Sequence, residues 1–445
     1  MSENMDNTST LESLHWRNAY KTKTVNLDKA ISLIKKDDHV YIQSNAAAPE
    51  IFIEGLINNA SHFENLNILH LLTLGKADYV KAMFKNNFKV KTFFIGQNVR
   101  QAVNNGQAEY IPVFLSEIPK LFNNKIIPID VCLIHVSPPD EHGYMSYGVS
   151  VDCTIAARKN AKLVIAEVNQ QMPRTLGRSF IHISRIDYLV ETNRPIPELI
   201  IKPISKVEDQ IGNYVASLVD NDSTIQLGIG TIPNAVLKYL NNKKNLGVHS
   251  EMVSDGIIEL VNNGVINNAF KTILPGKIAV SFVIGTRRLY DFINNNPNFE
   301  FQTSDFINDP FIISQNYKMI SINSALQVDI TGQVAADSIG SYLYSGFGGQ
   351  VDFIRGASHC PNGKAIIAMP STAKNDTVSR ITAKLIEGSG VVTTRADVHY
   401  VVTEYGIAHL FGKSVKERMK ALINISHPKF QDELKFQCKQ IPWLN

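Results

Sequence analysis

Apolar runs of strand length alternate with helical patterns along most of the chain, and that alternation leaves few folds open. In the first half the pattern predicts strands at His39–Gln43, Leu66–Thr73, Val90–Ile95, Ile129–Val136 and Lys162–Val168, with helices at Pro49–Asn58 and Tyr110–Leu121. In the second half it predicts strands at Thr224–Leu227, Ala279–Ile284, Met319–Asn323, Ala365–Met369 and His399–Val402. Helices are expected there at Val207–Val219, Ile232–Leu240, Met252–Asn262, Leu289–Asn295 and Val415–Ile423. β-Branched residues crowd the strand segments, as sheets covered on both faces require. The pattern therefore reads as repeated βα units: an α/β protein with two related, open domains and mostly parallel sheets. Pro195, Pro197 and Pro203 interrupt the periodicity, so the expected division is residues 1–197 and 198–445. A chain of 445 residues gives each half room for its own core.

Composition closes several functional classes. A net charge of +3 with no run of five basic residues argues against a nucleic-acid binder. The segment Met1–Leu11 is polar and acidic, without the apolar core of a secretion signal. Apolar runs such as Ile278–Ile284 are too short to span a bilayer. Cys132, Cys153, Cys360 and Cys438 lie far apart with no C-x-x-C pair, which disfavours zinc and a disulfide framework and points to a reducing cytoplasm. The histidines form no metal set: Asp140-Glu141-His142 reads as a surface turn, and His399 and His409 lack partners at ligand spacing. No G-x-S-x-G elbow marks a serine hydrolase.

Three segments carry candidate chemistry. In His249-Ser250-Glu251-Met252-Val253-Ser254-Asp255-Gly256, an extended run meets a predicted helix, so Glu251 is either a helix-capping carboxylate or a nucleophile exposed at the end of a sheet. Asp255 lies one helical turn on, and Glu404 ends a predicted strand that can reach the same crevice. The turn Gly228-Ile229-Gly230-Thr231-Ile232 joins a strand to a helix and offers backbone N–H groups to an anion. It lacks the third glycine of a dinucleotide fingerprint, where Pro233 stands. A structural turn and a phosphate or pantetheine contact both stay open. The third segment, Gly346-Phe347-Gly348-Gly349, can turn backbone N–H groups into a cavity as an oxyanion hole does, or can be a flexible turn; no Gly-Lys-Ser/Thr follows, so it is not a P-loop.

Taken in order, Gln226–Asn234, His249–Gly256, Gly285–Asp291, Ile322–Gly332, Gly346–Ala357, Pro370–Lys374 and Thr403–Gly412 resemble the acetyl-CoA hydrolase/transferase family of class I CoA-transferases. The likeness extends to Ser137–Asp140 and Asn169–Arg174. It is nearest the 4-hydroxybutyrate and butyrate:acetate CoA-transferase branch. The resemblance implies a nucleophile at Glu251, an oxyanion and CoA-contact loop at Gly346, Gly348 and Gly349, and a CoA-contacting turn at Gly228, Ile229, Gly230, Thr231 and Ile232. It further implies Asn323 near the CoA, Glu404 near the reacting centre and Lys374 toward the nucleotide end. Ser250 stands where the family usually has threonine, a change of one small hydroxyl for another. The implied activity is exchange of CoA between a short-chain acyl-CoA and a carboxylic acid through a glutamyl-CoA thioester. Coenzyme A is a substrate, no metal takes part, and a homodimer is expected. An acyl-CoA hydrolase and a non-catalytic CoA sensor are the alternatives.

Overall fold

The computed structural model describes residues 15–200 and 202–444; the segment Met1–Leu11 lies outside the described residues. The chain divides into two compact units. The first comprises the chain up to Val113, Glu117–Leu199 and Ser281–Asp305; the second comprises Phe114–Ser116, Ile200–Val280 and Phe306 onward.

The first unit is built on β1 (His39–Ile42), β2 (Leu66–His70), β3 (Phe88–Thr92), β4 (Glu109–Tyr110), β5 (Ile129–Val136), β6 (Ala161–Asn169) and β7 (Tyr188–Thr192). They form one sheet in the order β4-β3-β2-β1-β5-β6-β7, and every pair is parallel. Val40, Ile42, Ile68, Val131, Leu133 and Ile165 are buried in it. Residues 281–305 return to this unit, where Phe282 bridges Ser150 and Phe301 bridges Gly177. One helical expectation is corrected here. Tyr110 ends a strand, and the helix after it covers only Ile118–Asn123, with Pro119 in its first turn. A helix running from 110 through 121 would have placed Pro119 in its interior, where the ring clashes with the preceding turn.

The second unit contains β8 (Thr224–Leu227), β9 (Gly247–Val253), β10 (Met319–Asn323), β11 (Lys364–Ala368), β12 (Tyr400–Thr403) and β13 (Gly406–His409), adjacent in the order β9-β8-β10-β11-β12-β13. All neighbours are parallel except the β12–β13 hairpin. The chain order reverses between β8 and β10, and such a switch point opens a crevice at the carboxyl ends of the strands. Helices at Lys206–Ser217 and Val415–Asn424 start in reciprocal caps, Ser205 with Glu208 and Ser414 with Glu417. Two helices that the periodicity did not single out, Gln350–His359 and Pro428–Lys439, complete the layers. Among the described residues no helix is long and apolar enough to cross a membrane.

Candidate active site

Every singled-out residue of the second unit falls at the carboxyl end of a strand or in the loop after one. β9 continues through Glu251 to Val253, and the following helix is Ile257–Asn262 with Gly256 at its N-cap and no side-chain cap. The expectation of a helix starting at Met252, and with it the reading of Glu251 as a capping residue, is therefore corrected. The chain stays extended because Ser250, fully buried, donates its hydroxyl toward the carbonyls of Leu227 (3.0 Å) and Met252 (2.7 Å). That tie leaves Glu251 on the opposite, partly open face of the strand.

The carboxylate is held from two sides. Asn308, fully buried, donates its Nδ2 to Glu251 Oε2 at 3.1 Å. Asn308 is itself placed by the same strand: His249 Nε2 lies 2.9 Å from the carbonyl of the preceding residue, Ile307. Burial above all, then the nearby Lys271 charge, pushes the pKa of His249 down to about 3. The ring is thus neutral and donates to that carbonyl. From the other side comes Gly349, the N-cap of the ten-residue helix Gln350–His359. A Cβ at position 349 would lie 2.0 Å from Glu251 Oε2 and 2.3 Å from Asn308 Nδ2, so any larger residue would displace these two side-chain ends. The carboxylate consequently faces a helix N-terminus, where unpaired N–H groups and the helix dipole favour negative charge. The helix is fixed by burying Phe353 and Ala357 with Ile307, Ile313 and Met319, and by the Phe353 ring against His249. Gly348 adopts φ +52°, which the tight turn into that helix requires.

The other predicted residues occupy separate corners of the same strand ends. Gly228 and Gly230 have no atom within 4 Å of a built Cβ, and Gly230, at φ +122°, is the N-cap of the helix Thr231–Lys238. Ile229 is exposed, and Thr231 donates its hydroxyl to Glu208. Asn323 ends β10 with its Nδ2 on Gln226 Oε1 (3.1 Å) and Ser321 Oγ (2.8 Å). Glu404 occupies the tight turn between β12 and β13; its hydrogen bonds come from Ser371, N–H at 2.9 Å and hydroxyl at 2.5 Å. Lys374 is exposed at the tip of a hairpin, with φ +52°.

The geometry thus brings Glu251 and Gly349 into contact, while the Glu404 carboxylate is bonded to Ser371 and Lys374 is exposed on its hairpin. Asn308, His249, Gln226 and Ser371 were not singled out from sequence as site-building residues. His249, Gln226 and Ser371 lay inside segments that carry the family resemblance, and Asn308 did not. Asn308 meets Glu251 across 57 residues of sequence, so no local pattern announces it.

Comparison with known proteins covers nearly all of the chain. Residues 5–200 match the acetyl-CoA hydrolase/transferase N-terminal domain, and residues 285–438 match the C-terminal domain of that family. A 4-hydroxybutyrate coenzyme A transferase of Clostridium kluyveri is 51 % identical over 96 % of this chain and 100 % of its own. A succinyl-CoA:acetate/propanoyl-CoA:succinate CoA transferase of Fasciola hepatica is 47 % identical over 92 % of this chain and 86 % of its own. The crystal structure of a 4-hydroxybutyrate CoA-transferase from Porphyromonas gingivalis superposes with a TM-score of 0.83 at 37 % identity, covering 96 % of this chain and 99 % of that one. The chain belongs to the acetyl-CoA hydrolase/transferase family and is a CoA-transferase.

Proposed function

We propose that the chain exchanges CoA between a short-chain acyl-CoA, of the 4-hydroxybutyryl, butyryl or acetyl kind, and a carboxylic acid such as acetate, with Glu251 as the nucleophile. The observation that carries this reading is the contact of Glu251 Oε2 with Asn308 and Gly349 at a helix N-terminus. One carboxylate oxygen is held there, and the other, Oε1, is the attacking atom.

The steps balance without an external energy source. Glu251 Oε1 attacks the thioester carbonyl; the C–S bond breaks, giving an acyl-glutamyl anhydride and CoA thiolate. The thiolate then attacks the Glu251 carbonyl carbon and expels the first acid as its carboxylate, leaving a glutamyl-CoA thioester. The acceptor acid runs the same steps in reverse. In the thiolate attack negative charge develops on a glutamyl oxygen. The Asn308 amide is the donor for it, worth about 3 kcal/mol in comparable sites, and the dipole of the helix Gln350–His359 favours the same charge. The backbone of Gly346, Gly348 and Gly349 serves the acyl oxyanion in this reading, and Glu404, whose carboxylate is fixed by Ser371, is assigned a place near the reacting centre from the family resemblance. Coenzyme A contacts are assigned to Gly228, Ile229, Gly230, Thr231, Ile232 and Asn323, with Lys374 toward its nucleotide end. The open space around Gly228 and Gly230 supports a ligand there. A homodimer in the cytoplasm, acting on acyl-CoA and short-chain carboxylates, belongs to the same reading.

Exchange assays with butyryl-CoA and acetyl-CoA against a panel of short acids test it. Turnover is expected to require the acceptor acid. CoA release at the same rate without acid would make the chain a hydrolase, and saturable acyl-CoA binding with no turnover would make it a sensor.

A further inference from the structure

The second unit also carries a cavity of about 500 Å³ whose lining includes none of the catalytic or CoA-contact residues assigned above. Two cations, Lys384 and Arg395, stand in its wall, and both are exposed. Neither makes an ion pair with any described residue. Behind them the Arg418 guanidinium donates to the backbone carbonyls of Thr331 (3.1 Å) and Arg395. Burial, and then the neighbouring Arg395 charge, push the Arg418 pKa down, as expected where cations gather without acids between them. The one acid in the lining, Asp329, is already engaged. It accepts from the Thr331 N–H and hydroxyl at 2.9 and 2.6 Å and from the Gln333 N–H and side-chain amide at 3.0 and 2.7 Å. Glu387 and Asp397 are on nearby turns but are not in the lining. The remaining distinctive wall is Trp443, 56 % exposed, whose indole has no ring partner among the described residues.

An excess of positive charge, an open aromatic face and a volume in the range of small-molecule sites together select a ligand that is anionic at one end and flat at the other. We propose that this cavity binds a nucleotide, with its phosphate oxygens on Lys384 and Arg395 and its base against Trp443. Charged N–H donors to phosphate are strong and directional, and base-on-indole stacking is sequence-tolerant and favourable. The ligand is a free nucleotide, because the nucleotide end of the CoA thioester is assigned to Lys374, which does not line this cavity.

The test titrates ADP, adenosine and CoA separately into the full-length protein, by calorimetry and by tryptophan fluorescence. Trp16 is the only other tryptophan in the chain, so Trp443→Phe isolates the signal. ADP is expected to bind saturably, to change a signal that Trp443→Phe removes, and to lose about tenfold or more in affinity with Arg395→Gln or Lys384→Gln; adenosine is expected to bind more weakly than ADP. Retention of ADP under saturating CoA, with an unchanged KM for acyl-CoA in the variants, assigns a separate nucleotide site. Displacement of ADP by CoA, with a raised KM and unchanged kcat in Arg395→Gln, would make the cavity part of the CoA site and overturn the separate nucleotide site. No saturable ADP binding together with CoA binding indifferent to these substitutions overturns the proposal, as does adenosine binding as tightly as ADP.

Discussion

Two glycine turns look alike in the sequence and differ in what glycine does for them. The first follows a strand of the main sheet and the second the short strand Tyr342–Leu343 of a separate two-stranded ribbon, and both open helices, Thr231–Lys238 and Gln350–His359. Around Gly228 and Gly230 there is nothing for a Cβ to meet, and the demand at Gly230 comes from its φ of +122°. At Gly349 the φ is ordinary, −93°, and the demand comes from the Glu251 carboxylate 2.0 Å from where a Cβ would stand. One turn is vacant space beside a backbone; the other is a backbone pressed onto a side chain. In the proposed mechanism glycine therefore gives a ligand access at the first turn and places Glu251 at the second.

Substitutions can break that contrast or sharpen it. Gly349→Ala is expected to act hardest. A methyl group must push Glu251 or Asn308 aside, and because displacements near 1 Å already cost about a hundredfold, kcat should fall by about a thousandfold with circular dichroism unchanged. Asn308→Ala removes one donor while leaving the glycine contact, so a kcat loss of about a hundredfold with little change in KM is expected from steady-state assays. Gly230→Ala puts a Cβ on a backbone at φ +122° and ψ −174°, a conformation essentially reserved for glycine, at a strain of about 1–3 kcal/mol; a rise in the KM for acyl-CoA with kcat retained is the expected result. Gly228→Ala should leave the melting temperature of the free protein unaltered and weaken only CoA binding. If Gly228→Ala lowered kcat as much as Gly349→Ala, the two turns would not divide the work as described.

The smallest effect on turnover, and a distinct effect on stability, is expected beneath the nucleophile. Lys271 is buried with its ammonium on the carbonyls of Val248 (2.7 Å) and Lys277 (2.6 Å), and burial pushes its pKa down to about 7. Its unfolded pKa is about 10.4. Between those values the unfolded chain binds the extra proton, so this residue makes stability fall as pH drops from about 10 to 7 and adds no further slope below that. At about 1.4 kcal/mol per pKa unit, the contribution is on the order of a few kcal/mol. Lys271→Met should flatten denaturant-derived stability over that range and leave the KM for acyl-CoA in place.

The sequence made the sheet-forming segments and the Glu251 motif legible because their signals are local: β-branched strand runs, and a carboxylate bracketed by His249 and Gly256. It misjudged the backbone at Glu251 because a helix pattern beginning at Met252 hides the buried Ser250 hydroxyl that keeps the strand extended. It missed the helix Gln350–His359, in which Gly356 interrupts the apolar pattern; that glycine is needed because a Cβ there would meet Ile313 at 2.3 Å. Asn308 and Ser371 were invisible for another reason. Their partners, Glu251 and Glu404, are 57 and 33 residues away, and only the folded sheet brings them within hydrogen-bond reach.

The most direct measurement incubates the protein with acyl-CoA and no acceptor acid, then maps the trapped CoA by peptide mass spectrometry. The account predicts CoA bound as a thioester on the peptide carrying Glu251, formed in the wild type, slowed in Asn308→Ala and absent in Glu251→Ala. A full yield of adduct on another residue, or acyl exchange persisting in Glu251→Ala, would contradict it.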